Sequence, residues 1–245
     1  MADSLISVRG VTKTFQLGDQ EVRALRGIDM EIPKGAYVSI MGPSGSGKST
    51  LFNMIGGLDV PTAGDVVVEG YRLRDLDSDQ LAWFRCHKIG FIFQSFNLVA
   101  TMTAQENVAI ARTFAGCSYE ESMHDAAEVL KRVGLDHRLK HLPSQVSGGQ
   151  QQRIAIARAL VNKPLIILAD EPTGNLDLKT GQEIIDLLYE MKHVYGVTIV
   201  TATHDMKMVS ASDLLARIRD GTIHELLGKD EMNVTIGTID GASVA

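Results

Sequence analysis

The stretch "GPSGSGKST", residues 42–50, decides how the chain is read. It follows the short apolar run "YVSIM" (37–41) and precedes Leu51, Met54, Ile55 and Leu58, which recur at helical spacing. An apolar run turning through glycines into an amphipathic helix is the context that the pattern G-x-x-x-x-G-K-[ST] needs to hold phosphate. Gly42 and Gly47 permit backbone conformations that aim successive N–H groups at one concave spot. The start of the helix adds its partial positive charge there. The loop runs through Gly42, Pro43, Ser44, Gly45, Ser46, Gly47, Lys48, Ser49 and Thr50. In it the Lys48 ammonium is expected to reach the β- and γ-phosphates of a nucleotide, and the Ser49 hydroxyl to ligate Mg2+. A glycine-rich turn with a surface lysine is the plainer reading. The flanking strand and helix weigh against it.

Working outward, "IGFIF" (89–93), "LIILA" (165–169) and "VTIVTA" (197–202) are apolar without clean alternation. Parallel strands covered on both faces look like this. Ile184, Leu187, Leu188 and Met191 give a further helical stripe, so the fold class is α/β, helices lying on a sheet. From about Thr103 to Val161 the pattern is helical, with Met123, Ala126, Ala127 and Leu130 as one stripe and no convincing strand. The expected organisation is one domain over 1–226. Its α/β core takes about 1–94 and 162–226, and a helical subdomain is inserted at about 95–161. The tail 227–245 is small and polar, and its end is expected to be disordered.

Composition narrows the class. The chain has 245 residues, 44% hydrophobic and 22% charged, enough for a substantial core. A net charge of -6 argues against nucleic acid as the partner. Cys86 and Cys117 are too few for a disulfide framework or a cysteine-built zinc site. "MADSLISVRG" lacks the apolar centre of a signal peptide. No apolar run approaches the ~18 residues needed to span a bilayer, so any link to a membrane is expected to go through a partner.

A nucleotide site also needs acid near the metal. "LIILADEPTGNLD" (165–177) places Asp170 and Glu171 at the end of a buried strand, where open α/β sheets put their ligands. Asp170 is the candidate Mg2+ partner, through water. Glu171 is the candidate to polarise the attacking water. Gln94 and His204 stand at the ends of two further strands. Gln94 could sense Mg2+ and the water, and His204 could donate a hydrogen bond to the γ-phosphate or the water. The remaining histidines show no metal-ligand spacing. Finally, "VSGGQQQRIAIARAL" (146–160) opens a helix with Ser147, Gly148 and Gly149. Two glycines weaken a helix start by roughly 1 kcal/mol each. A capping serine followed by bare backbone suits a phosphate brought close to free N–H groups.

These motifs stand in an order that resembles the ATP-binding subunits of ABC transporters, over nearly all of residues 5–226. The resemblance implies a P-loop NTPase (RecA-like) core with an inserted helical subdomain and antiparallel β elements, using ATP and Mg2+. It implies head-to-tail pairing with a second ATP-binding subunit, as a homodimer. Each ATP then lies between the phosphate loop of one copy and Ser147, Gly148, Gly149 and Gln150 of the other, with Asp177 nearby. Glu171, His204 and Gln94 become the catalytic set, and Ser49, Gln94 and Asp170 the metal set. Phe15 stands where an adenine-stacking tyrosine is common, a core aromatic being its other reading; Val146 stands where leucine is usual.

A separate integral-membrane permease is implied, touching the chain around Ser95 to Met102 and holding it on the cytoplasmic face of the cell membrane. "GGLDVPTAGDVVVEG" (56–70) and "FQSFNLVATMTAQENV" (93–108) look most like the lipoprotein-releasing and macrolide-exporter group (LolD/MacB type), whose permeases are FtsX-like. A regulatory ABC ATPase of the cell-division sort, or an importer ATPase, shares the same ATP chemistry and stays open at this point.

Overall fold

Two long strands, β1 (Ser4–Leu17) and β2 (Gln20–Pro33), open the chain as an antiparallel hairpin. In β2, Ile28, Met30 and Ile32 are buried while Asp29 and Glu31 face solvent, the alternation of a sheet wet on one side. The computed structural model describes residues 4–232, 234–235 and 238–239. After β3 (Tyr37–Met41) come α1 (Lys48–Ile55), β4 (Ala63–Val68) and β5 (Tyr71–Arg72). Then follow α2 (Ser78–Lys88), β6 (Ile89–Ile92), α3 (Ala104–Phe114), α4 (Tyr119–Arg132) and α5 (Gly148–Leu160). The chain continues through β7 (Ile166–Asp170), α6 (Leu178–Tyr195), β8 (Thr198–Thr203) and α7 (Met206–Ser210). It closes with β9 (Leu214–Arg219), β10 (Thr222–Gly228), β11 (Val234–Thr235) and β12 (Thr238–Ile239).

The chain forms two compact units, Met1–Asp75 with Val200–Ala245, and Leu76–Ile199. In the first, β2, β1, β4 and β5 make an antiparallel sheet in that order. A second sheet runs β10-β9-β3-β8, with β3 and β9 parallel. Hydroxyls tie its buried middle, Ser39 Oγ lying 2.6 Å from Ser212 Oγ and 3.0 Å from Thr201 Oγ1. The N–H of Tyr37 donates to the Asp213 carboxylate at 2.8 Å, which fixes where β3 starts. Helix α1 buries Leu51, Phe52, Met54 and Ile55.

In the second unit β6 and β7 lie side by side as a parallel pair. Ile166, Ile167, Leu168 and Ala169 are all fully buried, as a strand covered on both faces must be. Helix α5 crosses β6 at Gly90, where a Cβ would stand 2.3 Å from the Ala159 carbonyl oxygen. From Ala104 to Leu160 the described chain is α3, α4 and α5, with two short 3-10 turns between α4 and α5.

The four strands expected around the phosphate loop are present within a residue of their expected ends. Helix α1 differs: it starts at Lys48, inside the loop, and ends at Ile55, leaving Leu58 beyond it and 46% exposed. Among the described residues no helix is long and apolar enough to cross a membrane. The expectation for the very end of the tail falls outside the described residues.

Candidate nucleotide site

Helix α1 begins at Gly47 (φ 105°) with no side-chain cap and no acid in its first turn. Helices α2 to α6 are each capped, by Asp77, Thr103, Ser118, Ser147 and Asp177. The first N–H groups of α1 therefore have neither an internal partner nor a cap, and its dipole is uncompensated. Lys48 folds back over the loop, its Nζ donating to the carbonyls of Gly42 at 2.7 Å and Pro43 at 2.9 Å. Ser46 is buried, and its Oγ has no hydrogen-bond partner among the described residues. With Ser49 and Thr50 next along the helix, this is a cationic and hydroxyl donor set around an uncapped helix start. It fits a polyphosphate and its accompanying Mg2+.

The two glycines of the loop pattern are required for different reasons. Gly47 needs its positive φ, and a Cβ there would also stand 2.6 Å from the Ala24 carbonyl oxygen. Gly42 has no positive φ; a Cβ on it would lie 2.1 Å from the Ile218 carbonyl oxygen, so close approach of β9 forbids a side chain. The contact with Ala24 sets β2 against the loop. Two residues back along β2 is Val22, whose cross-strand partner is Phe15. Phe15 is 37% exposed, with Lys13 Nζ 5.0 Å from its ring centre, and is not a core aromatic. His204 is exposed just after the buried end of β8. Its neighbour Asp205 donates its N–H to Thr203 Oγ1 at 2.9 Å and caps α7.

The second unit assembles the other residues. Strand β7 ends at Asp170, and Glu171 follows with φ 44°, a left-handed conformation that side chains such as glutamate rarely adopt. Its carbonyl accepts the Gly174 N–H at 3.0 Å, closing a turn. Gln94 is held against this turn. Asn175 Nδ2 donates to the Gln94 carbonyl at 2.9 Å, and a Cβ on Gly174 would stand 2.7 Å from Gln94 Nε2. The structure thus brings Gln94 and Glu171 to one turn, through Gly174 and Asn175.

Beside it lies the start of α5. The N–H of Gln150 donates to Ser147 Oγ at 3.3 Å, and the N–H of Ser147 to Gln150 Oε1 at 3.1 Å, a reciprocal capping box. The two glycines between them are not equivalent. A Cβ on Gly148 would meet only Leu176 at 3.5 Å and Phe96 at 3.8 Å, ordinary contacts. One on Gly149 would stand 2.3 Å from the Thr180 methyl, so α5 and α6 pack too closely there for a side chain. Helix packing accounts for Gly149; it leaves Gly148 unexplained. Asp177 caps α6 by accepting the N–H groups of Lys179 at 3.1 Å and Thr180 at 3.0 Å. The Thr180 hydroxyl, donating to it at 2.6 Å, is the main reason its carboxyl sits below the ordinary value, the backbone donors adding to this.

Phe15, the phosphate loop and His204 thus belong to the first unit. Gln94, Ser147 to Gln150, Asp170, Glu171 and Asp177 belong to the second. Sequence reasoning passed over Asn175, Thr180, Asn107 and Arg158. Asn107 is fully buried; its Oδ1 accepts the Val99 N–H at 2.7 Å and its Nδ2 donates to Met102 O at 2.9 Å, shaping the segment after Gln94. A buried amide one helical turn into α3 was the only local sign of this.

A phosphate loop feeding an uncapped helix, in an α/β fold with acids at the end of a buried strand, defines a P-loop nucleotide-binding protein. The chain matches the family model described as ABC transporter over residues 25–174, and it belongs to that family as an ATP-binding, ATP-hydrolysing cassette. It is 52% identical to an uncharacterized ABC transporter ATP-binding protein of Thermotoga maritima, over 87% of this chain and 91% of that one. It is 46% identical to the macrolide export ATP-binding/permease protein MacB of Rhodopirellula baltica, over 90% of this chain but 33% of MacB. A solved dimer of the cassette MJ0796 from Methanocaldococcus jannaschii, in a post-hydrolysis state bound to ADP and Pi, matches with a TM-score of 0.85. The identity is 44%, covering 91% of this chain and 98% of that one.

Proposed function

We propose that two copies of this chain close around two ATP molecules to drive a separate FtsX-like membrane permease in export or in extrusion of lipoprotein or peptide. The single observation that carries the pairing is the start of α5, where Gly148 leaves backbone open with no packing reason for it. In this reading the α1 start and Lys48 hold the phosphates of one ATP, and Ser147, Gly148 and Gln150 of the partner copy face its γ-phosphate. Phe15 offers its exposed ring to the adenine. Ser49, Asp170 and Gln94 are the residues that would hold Mg2+, and the ion would supply charge neutralisation to the phosphates. Glu171 accepts a proton from the attacking water, and His204 donates a hydrogen bond that steadies the developing charge. The left-handed backbone at Glu171, its carbonyl held by the Gly174 N–H, sets the turn that carries this carboxylate.

The kinship with MacB, a protein that carries its own permease, supports the exporter reading over an importer one. In this reading the permease touches Ser95 to Met102; the 41% exposure of Val99 and the Asn107 bond to its N–H support that segment as the contact. The chain would then be held at the cytoplasmic face of the membrane through that contact.

Glu171→Gln tests the reading. It should bind Mg-ATP like the parent while turnover falls by on the order of 10² to 10⁴. Purified from detergent-solubilised membranes with Mg-ATP, this trapped variant should carry an FtsX-like permease. Turnover within a few-fold of the parent would move the base elsewhere, and recovery with an importer-type permease would overturn the exporter assignment.

A further inference from the structure

Phe96 and Asn97, just after Gln94, are two consecutive non-glycine residues in the left-handed region, at φ 62° and 49°. A phenylalanine holds that conformation only where its surroundings over-determine it. What does so here is Arg158, in the last turn of α5. Its Nη1 donates to the Asn97 carbonyl at 2.6 Å and its Nη2 to the Phe96 carbonyl at 2.8 Å. Both arms of the guanidinium fork are thus used on one turn, and among the described residues Arg158 pairs with no carboxylate. Burial also pulls the guanidinium below its ordinary pKa. The turn has a second contact with the same helix. The tip of the Phe96 ring lies 3.8 Å from where a Gly148 side chain would begin. Helix α5 therefore meets this turn at both of its ends, and the ring forms one wall beside the open backbone of Gly148.

We propose that Arg158 is a positioning residue: by clamping the Phe96 and Asn97 carbonyls it sets the Phe96 ring as the wall of the phosphate grip at Ser147 and Gly148. This rests on the reading of α5 given above. Arg158 touches no nucleotide. It acts through Phe96, and its fork geometry matters, because two rigid coplanar N–H arms fix the two carbonyls more tightly than the single, freely rotating ammonium of a lysine.

The test is a double-mutant cycle in the Glu171→Gln chain, with Arg158→Met and Phe96→Gly alone and together. Glycine adopts the left-handed turn without strain, so the loop keeps its path when the ring is removed. The readout is the Mg-ATP-dependent monomer–dimer equilibrium, with monomer affinity for a fluorescent ATP analogue and Tm as controls. Arg158→Met should weaken dimerisation by roughly tenfold while leaving monomer affinity within about twofold. In the Phe96→Gly background it should have almost no further effect, because no ring is left to position. A purely structural role would instead let the two losses multiply. Multiplying losses, or an Arg158→Met dimer as tight as the parent's, overturn the inference. If Arg158→Met does not fold, Arg158→Lys takes its place: an intermediate loss that again vanishes with Phe96→Gly supports the clamp, and no loss overturns it. A Glu171→Gln parent that stays monomeric with Mg-ATP would overturn the reading beneath it, a result distinct from either.

Discussion

Gly148 and Gly149 are neighbours in the sequence and opposites in the structure. Gly149 is barred from carrying a side chain by the Thr180 methyl, and that methyl cannot rotate away without breaking the 2.6 Å bond from Thr180 Oγ1 to Asp177. Gly149→Ala should therefore cost about 1–3 kcal/mol through overpacking. Adding Thr180→Ser, which keeps the hydroxyl and removes the methyl, should recover most of that loss. Urea denaturation of the two variants checks this; a Gly149→Ala protein as stable as the parent would contradict the close approach of α5 and α6. This distinction was not legible in the sequence, because it depends on a residue 31 positions away on another helix. Phe15 was open for a similar reason: the family resemblance marked it, but only its exposure excludes a core aromatic.

At the scale of elements, the contrast between α1 and the other long helices is the strongest physical sign of a ligand. Among the described residues the helices α2 to α7 all close their first turn with a side chain, while α1 leaves its donors open. The cap of α6 also has a pH signature. Asp177 carries a folded-state pKa below its ordinary 3.8, so its contribution to stability is full above that value and is lost as pH falls through the lower folded one. Asp177→Ala should lower Tm, and the gap to the parent should be constant above about pH 5 and shrink in stronger acid. Thermal melts across that range check the sign; a gap that widens in acid would contradict it. The elements themselves were legible where their signal is local. The phosphate loop, the buried strands and the helical middle declare themselves within a few residues. The β1–β2 hairpin does not. Its register shifts near Gly10 break the alternation of β1, and residues 20–23 at the start of β2 are exposed throughout. The turn joining Gln94 to Glu171 was likewise hidden, since the Asn175 amide reaches a carbonyl far back in the chain.

For the whole molecule, the central claim is that the start of α5 serves the ATP bound by a second copy. Gly148→Asp isolates it. The new Cβ has room, and an acid in the first turn of a helix favours folding through the dipole. The same carboxylate would face the γ-phosphate of the partner's ATP, and like charges juxtaposed in an interface cost several kcal/mol. The deciding measurement is light scattering with size separation, with and without Mg-ATP, on Glu171→Gln and on Glu171→Gln with Gly148→Asp. The account predicts that the first becomes a dimer with Mg-ATP, and that the second binds the nucleotide but dimerises on the order of 10²-fold more weakly or not at all. A Gly148→Asp dimer of undiminished affinity would contradict it.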